Sequence, residues 1–167
     1  MAKRELVPTL LVVGEGDSEE AFLRHIRQFP LCRRNGTKIT IRNAHGKGAA
    51  HVIDYAIRIS KNFNYDVVVV FFDTDTDWNN TVRKKAEKYK LKMVKSEPCL
   101  EAMLLRALGL NPDLYGNLKQ QFAPYVNHDS TESDNYAKYF HNVALQKMRK
   151  KEKELDILLQ CMGIFPS

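Results

Sequence analysis

The most constraining feature of the chain is a run of six apolar residues, 67–72, that lies between Asp66 and Asp73. Four of the six are valines, and β-branched residues favour strands. An unbroken apolar run of this length is typical of a strand that is buried on both faces, as the central strands of parallel sheets are. The chain therefore has to place other elements on both sides of one sheet.

Shorter patterns around this run predict strands and helices in alternation. The predicted strands are residues 9–13, 38–42, 66–73 and 91–94, and the predicted helices are a segment capped by Asp17 or Ser18 with Glu19 and Glu20 in its first turn, then residues 49–60, 79–90, 99–108 and 141–160. This order favours a parallel sheet with crossover helices. We expect an α/β fold with a mostly parallel, Rossmann-like sheet of about four strands, flanked by helices and followed by a helical C-terminal extension.

The length of the chain, 167 residues, suits one domain better than two. We expect residues 1–110 to form the core that carries the site, and residues 111–167 to form a loop and helical extension packed on the same domain. Within that extension, Pro112, Pro124 and the polar run 127–135 indicate a loop or a mobile insertion.

Charge and hydropathy narrow the kinds of partner. The chain carries a formal net charge of +6, which is compatible with a polyanionic partner such as DNA or RNA. Its start, residues 1–5, is charged, and no apolar run approaches the roughly 18 to 20 residues that cross a bilayer. We therefore expect a cytoplasmic protein that has no signal peptide and does not associate with membranes.

Acidic residues follow two of the predicted strands. Glu15 lies between two glycines just after the first strand, and Asp73 and Asp75 begin the segment that follows the apolar run. The carboxyl ends of parallel strands meet at one edge of a sheet, where ligands of such folds bind. Because Asp73 and Asp75 are two residues apart in an extended segment, their side chains point the same way. We expect these carboxylates to lie close together.

Neighbouring carboxylates repel one another unless they take up protons or share a cation. A hard ion such as Mg²⁺ accepts oxygen ligands and keeps positions for water and phosphate oxygens. We therefore predict one or two Mg²⁺ ions, with Mn²⁺ as an alternative, bound by Glu15, Asp73, Asp75 and Asp77. Two acids have a second interpretation, since Asp77 could cap the following helix and Asp17 the helix after the first strand.

Basic and polar residues at the same sheet edge are candidates for contact with phosphate or nucleic acid. His45 and Lys47 lie in a glycine-rich turn after the second strand, which offers backbone N–H groups and a positive charge. Lys95 and Ser96 follow the fourth strand at the same edge. The turn is not a P-loop, because the Gly-x-x-x-x-Gly-Lys-Ser pattern is absent. An ordinary turn remains the alternative.

Three segments together resemble the RloB-like family. They are Gly14-Glu15-Gly16-Asp17-Ser18-Glu19-Glu20-Ala21-Phe22, Phe72-Asp73-Thr74-Asp75 and Ser96-Glu97-Pro98-Cys99-Leu100-Glu101. They occur in the order of the family's Glu-Gly segment with a following Thr and Glu, its Asp-x-Asp and its Ser-Asn-Pro-x-Phe-Glu segment, within residues 9–108. Glu97 stands where the family pattern has Asn, and Leu100 where it has Phe.

The resemblance implies a Toprim-type catalytic core at residues 1–110, related to the metal sites of topoisomerases, primases and OLD-family nucleases. It implies that Glu15 is a metal ligand or general acid/base, that Asp73 and Asp75 are metal ligands, and that Glu101 completes the catalytic set. The implied activity is Mg²⁺-dependent cleavage of phosphodiester bonds in DNA or RNA, transfer RNA included, in a restriction or phage-defence system. Lys47 or a second ion would stabilise the leaving oxygen.

Other functions remain open at the level of sequence. The chain could bind metal and nucleic acid without catalysis, as the partner of a defence ATPase. Haloacid-dehalogenase phosphatases also carry an Asp-x-Asp after a strand, but Asp77 replaces their usual Thr or Val two residues beyond Asp75, and the motif follows the third strand instead of the first. An EF-hand loop is disfavoured because Trp78 stands where glycine is needed.

Overall fold

A computed structural model describes residues 6–34 and 36–167. The charged start at residues 1–5, which we interpreted as unlike a signal peptide, lies outside the described residues. Four strands form one sheet in the described chain: β1 (Thr9–Gly14), β2 (Lys38–Asn43), β3 (Val67–Asp73) and β4 (Lys92–Ser96). Their order is β2-β1-β3-β4 and every pairing is parallel, which confirms the predicted α/β fold and its four-stranded sheet.

Eight α-helices surround or follow this sheet in the described residues. They are α1 (Asp17–Arg27), α2 (Pro30–Arg34), α3 (Gly48–Asn62), α4 (Asn80–Lys88), α5 (Leu100–Ala107), α6 (Leu118–Phe122), α7 (Asn142–Met148) and α8 (Lys153–Cys161). Two short 3₁₀ turns, Ala123–Val126 and Ser133–Tyr136, lie between α6 and α7. None of the described helices is both long and apolar enough to cross a membrane.

The two faces of the sheet bury separate apolar clusters. On one face, alternate residues of β1 and β3 such as Leu11 and Val70 pack with Val52 and Ile53 of α3. On the other face, the intervening residues pack with α1, α5 and α8. Because side chains alternate across a strand, an unbroken apolar sequence supplies both clusters. The central run in β3 is therefore buried on both sides, as predicted.

The segment 111–140 differs from the loop or mobile insertion that we expected. It contains α6 and both 3₁₀ turns, and Phe122, Tyr136 and Phe140 are fully buried. Their rings contact Phe22 of α1 or one another, with the Phe22 and Tyr136 centroids 5.4 Å apart. Because a polar run separates these aromatic residues in the sequence, they form no periodic apolar pattern, and their shared burial could not be predicted from periodicity.

The predicted single helix over residues 141–160 is wrong, since α7 and α8 are separated by residues 149–152. No apolar residue occurs between Met148 and Leu155, so the segment has no side chain that would hold a continuous helix against the core. The Glu152 carboxylate instead accepts a hydrogen bond from Arg106 Nε of α5 at 2.9 Å. This ion pair links the segment between α7 and α8 to α5.

Two capping predictions also need correction. Gly16, not Asp17 or Ser18, is the N-cap of α1, and Asp17 is the first helical residue. Asp77 does not cap the helix that follows it, because Asn79 holds that position and accepts a hydrogen bond from the Val82 N–H at 3.0 Å. Gly109 follows α5 with a left-handed φ of 85°, the conformation in which a glycine commonly ends a helix.

We expect the aromatic cluster to contribute strongly to stability. Phe22→Ala should lower the free energy of unfolding by about 3–5 kcal/mol, because Phe22 is fully buried between β3 and the 111–140 segment. Phe63→Ala is the matched control, since Phe63 is 63% exposed, and should cost less than about 0.5 kcal/mol. Urea denaturation measures both, and equal losses would contradict the packing described here.

Candidate metal centre

The carboxyl ends of β1 and β3 lie side by side, because Gly14 pairs with Phe71 in the parallel register. The chain leaves these strands at Glu15 and Asp73. The Glu15 N–H donates to the Phe71 carbonyl at 3.0 Å, and Glu15 Oε2 accepts from the Asp73 N–H at 2.8 Å. These two hydrogen bonds fix the Glu15 side chain, which is 8% exposed, against the end of β3.

Gly14 allows α1 to approach this edge closely. A Cβ atom at position 14 would lie 3.0 Å from the Glu19 Cβ and 3.3 Å from the Glu20 backbone nitrogen. Both distances are shorter than ordinary contacts between carbon and nitrogen atoms. A larger residue would push the first turn of α1 away from the strand ends.

Glu19 lies in that first turn and is a site residue that our sequence reasoning missed. It is 7% exposed, and its Oε2 accepts from the Gly16 N–H at 3.1 Å. We had interpreted Glu19 and Glu20 only as acids that suit a helix start. The neighbouring Glu20 carboxylate points elsewhere and binds Arg24 and Asn43. The glutamate that follows Glu-Gly in the family pattern was the available signal.

One carboxylate oxygen from each of Glu15, Glu19 and Asp73 lies within 4.8 Å of the others. We call these three residues the carboxylate trio. Within the described part of the chain, no other group of His, Cys, Asp or Glu side chains meets this spacing. Asp73 Oδ1 also accepts from the Leu100 N–H at 3.1 Å, which ties the trio to the start of α5. Two buried carboxylates and the half-buried Asp73 at this spacing fit a hard divalent ion.

Burial and mutual repulsion raise the pKa values of all three carboxyl groups of the trio. Burial raises the pKa of Asp73 to about 9, and the charges of Glu19 and Glu15 add to the rise. Burial likewise raises the pKa of Glu19 to about 7. The pKa of Glu15 is raised by burial as well, although the Asp73 and Gly48 N–H groups oppose the shift. A shared cation would oppose these shifts.

Asp75 and Glu101 line the same cleft as the trio, which has a volume of about 620 Å³. Glu101 is 8% exposed in the first turn of α5, whereas Asp75 is exposed overall. Partial burial of the Asp75 carboxylate and the negative charge of Glu101 raise the pKa of Asp75. The Pro98 carbonyl accepts from the Thr74 and Asp75 N–H groups at 3.1 Å each, which fixes the loop after β3. Both acids therefore lie beside the trio, in its cleft.

Asp77, which we expected among the metal ligands, is placed differently. Its Oδ1 accepts from the Ala49 N–H at 2.7 Å, at the start of α3. A Cβ atom at Gly48, whose φ is 87°, would lie 2.7 Å from that same oxygen, so the position requires glycine. Asp77 thus joins the loop after β3 to α3 and does not belong to the trio.

The four residues expected to contact phosphate are dispersed. His45 and Lys47 are exposed on the turn before α3, and only their neighbour Gly46 lines the cleft. The expectation for Ser96 needs correction, because Ser96 is fully buried and its hydroxyl donates to Met103 Sδ at 3.9 Å. Lys95 lines a second cleft, described below.

The opposite wall of the acidic cleft comes from the 111–140 segment. Gly116, Asn117, Leu118, Lys119 and Thr131 line it. Lys119 is the one lysine or arginine among the described residues of the lining. No pattern in the sequence indicated this contribution, since it depends on how the segment packs over α1.

We expect removal of one trio charge to stabilise the metal-free protein increasingly as pH rises. The pKa of Asp73 is about 9 in the folded chain against an ordinary 3.8, so its stabilising contribution is complete below pH 3.8 and is lost as pH rises through 9. Asp73→Asn, which keeps the acceptor for the Leu100 N–H, should gain at least about 1 kcal/mol over the wild type at pH 8. Urea denaturation in a chelator at pH 5 and pH 8 measures the difference.

Asp54→Asn is the control for this experiment, because it removes a carboxylate that is 51% exposed on α3. Its effect on the free energy of unfolding should be similar at both pH values. A loss of stability in Asp73→Asn, or a gain that is the same at pH 5 and pH 8, would contradict the repulsion described for the carboxylates of the trio.

Comparison with known proteins gives one match. The family model described as RloB-like protein matches residues 10–157, which extends well beyond the three segments that carry the resemblance in sequence. Comparison with the curated proteins gives no significant match. Comparison with solved structures gives none either. The matched region spans most of the chain and includes both the trio and the 111–140 wall, and the chain therefore belongs to the RloB-like family.

Proposed function

We propose that the chain is a Mg²⁺-dependent nuclease, a hydrolase that cleaves phosphodiester bonds in DNA or RNA, with transfer RNA among the candidate substrates. The observation that carries the proposal is the carboxylate trio, which lines one cleft and brings three carboxylate oxygens within 4.8 Å of one another. Membership of the RloB-like family supports it, because the resemblance implies a Toprim-type nuclease site. The same resemblance supports a place in a restriction or phage-defence system.

The trio would hold the metal, with Mg²⁺ or Mn²⁺ as the ion that suits carboxylate oxygens. A bound divalent ion would supply positive charge to a phosphate group and make a water molecule at the site a better nucleophile. Asp75 and Glu101, which line the cleft beside the trio, are placed to orient that water or accept its proton. In this proposal the trio binds the ion, and Asp75 and Glu101 transfer protons.

Lys119 is the residue best placed to meet the negative charge of the substrate. Its side chain lines the wall that faces the acids, whereas Lys47, which we first considered for this role, does not line the cleft in the described chain. An ammonium group there would stabilise charge on a phosphate or on the leaving oxygen. The formal net charge of +6 would favour approach of a polyanion to a cleft that is itself acidic.

Cleavage assays with Mg²⁺ or Mn²⁺ and single-stranded, duplex and transfer-RNA substrates test this function. We expect cleavage by the wild type and a loss of at least roughly 100-fold in Glu19→Gln. A direct ligand should cost more than the partners outside the ligand shell, whose removal costs about 10- to 100-fold. Glu20→Gln is the matched control and should keep its activity, because the Glu20 carboxylate binds Arg24 and Asn43 outside the trio.

Two results would contradict the proposal in different ways. Absence of cleavage by the wild type on every substrate would contradict the nuclease and favour a non-catalytic protein that binds metal and nucleic acid beside a partner ATPase. Cleavage that survives unchanged in Glu19→Gln would leave a nuclease but contradict the trio as its centre.

A further inference from the structure

A second cleft lies on the other side of the loop that follows β3. It has a volume of about 440 Å³ and is lined by Thr74 and Trp78 of that loop, by Lys95 near the end of β4 and Glu97 just after it, by Arg106 of α5, and by the turn before α8 with the first residues of that helix. Thr74 is the residue between Asp73 and Asp75, which line the acidic cleft. The two clefts therefore share one wall at the carboxyl edge of the sheet.

The charges of this second cleft are only partly balanced within the described chain. Arg106 is paired with Glu152 at 2.9 Å, and the Glu154 carboxylate accepts from the Lys95 backbone N–H at 3.0 Å. The ammonium groups of Lys95 and Lys153 take part in none of the ion pairs among the described residues. The Arg106–Glu152 pair is thus neutral, whereas Glu154 keeps its charge. With Lys151, the two lysines outnumber the remaining carboxylates, Glu97 and Glu154, so the lining carries a net positive charge.

Trp78 gives this cationic cleft a flat aromatic surface. Its ring rests on Phe72 of β3, with the centroids 5.0 Å apart, and the ring also lines the cleft. The Lys95 Nζ lies over the Trp78 ring, 5.7 Å from the centroid. An aromatic ring that packs on the sheet and an ammonium group beside it are the two features with which proteins bind unpaired nucleotides.

We propose that this cleft binds a single-stranded stretch of the nucleic acid next to the phosphodiester bond that enters the acidic cleft. A base stacks on Trp78 and displaces the Lys95 ammonium group from its place over the ring. Lys95 and Lys153 then donate hydrogen bonds to the adjoining phosphates. The proposal rests on the proposed nuclease function for its class of ligand. It goes beyond that function because it selects an unpaired strand and assigns the strand a path along the carboxyl edge of the sheet.

Glu97 fits this assignment as a negative charge at the rim. It is exposed and lines the same cleft, where it opposes a phosphate without preventing stacking on Trp78. The family pattern has Asn at this position. Glu97→Gln should therefore tighten binding of a single strand by about two- to fivefold, the range of a solvent-exposed charge interaction. Unchanged or weaker binding in Glu97→Gln would count against a phosphate at this rim.

The test measures binding of a short oligothymidylate to the full chain in a metal-free buffer with chelator. Trp78 is the only tryptophan of the protein, so its fluorescence reports on this cleft alone. We expect the single strand to quench that fluorescence on saturation and a duplex of the same length to leave it unchanged. Binding of the oligothymidylate without any change in Trp78 fluorescence would overturn the proposal.

Charge-removal variants then test the phosphate contacts. The double variant Lys95→Gln, Lys153→Gln should weaken binding and flatten the plot of log K against log salt by about 1.4, since each phosphate contact to a single strand contributes about 0.7. The matched control is Lys61→Gln, Lys138→Gln, which removes two ammonium groups outside the cleft. They lie over the rings of Tyr89 and Tyr139, as Lys95 lies over Trp78. Equal affinities and slopes for the two double variants would overturn the proposal.

The absence of metal separates this test from the test of the nuclease. Quenching of Trp78 without cleavage of any substrate supports the binding cleft and contradicts the nuclease. Cleavage without quenching contradicts the binding cleft and leaves the nuclease in place.

Discussion

Repulsion among three closely spaced carboxylates, those of the buried Glu15 and Glu19 and the half-buried Asp73, is the constraint on which the site depends. Each carboxylate accepts at least one backbone N–H: Glu15 from Asp73, Glu19 from Gly16 and Asp73 from Leu100. The donors belong to the end of β3, the turn before α1 and the start of α5, so the trio joins three elements of the fold. Burial raises the pKa values of these groups, and a divalent cation would oppose that rise with a single shared charge.

The part of this arrangement that could be predicted from the sequence is the part that depends on the strands. The apolar run of β3 and the acids that follow β1 and β3 predicted the parallel sheet and the edge where Glu15 and Asp73 meet, because parallel register brings strand ends together. Glu19 was missed because a glutamate in the first turn of a helix has an ordinary explanation in the helix dipole. Asp77 was expected at the centre, and only the packing of α3 against the loop after β3 shows that it binds the Ala49 N–H.

The second wall of the site could not be read from local patterns, because it depends on contacts between distant parts of the chain. Phe122, Tyr136 and Phe140 bury themselves against Phe22 of α1, and this packing places Lys119 opposite the acids. Trp78 and Lys95 likewise line one cleft with the turn that precedes α8, although that turn is more than 50 residues away in the sequence. The sheet edge thus carries an acidic cleft and a cationic cleft, separated by the loop that contains Thr74.

Anomalous diffraction from a crystal soaked in Mn²⁺ tests the shared-metal account most directly, since it locates the ion without any assumption about substrate. The account predicts a peak about 2 Å from a carboxylate oxygen of each of Glu15, Glu19 and Asp73, and no peak in a crystal of Asp73→Asn soaked in the same way. A wild-type crystal with no peak at the trio, or with the ion held by Asp75 and Asp77 instead, would contradict it.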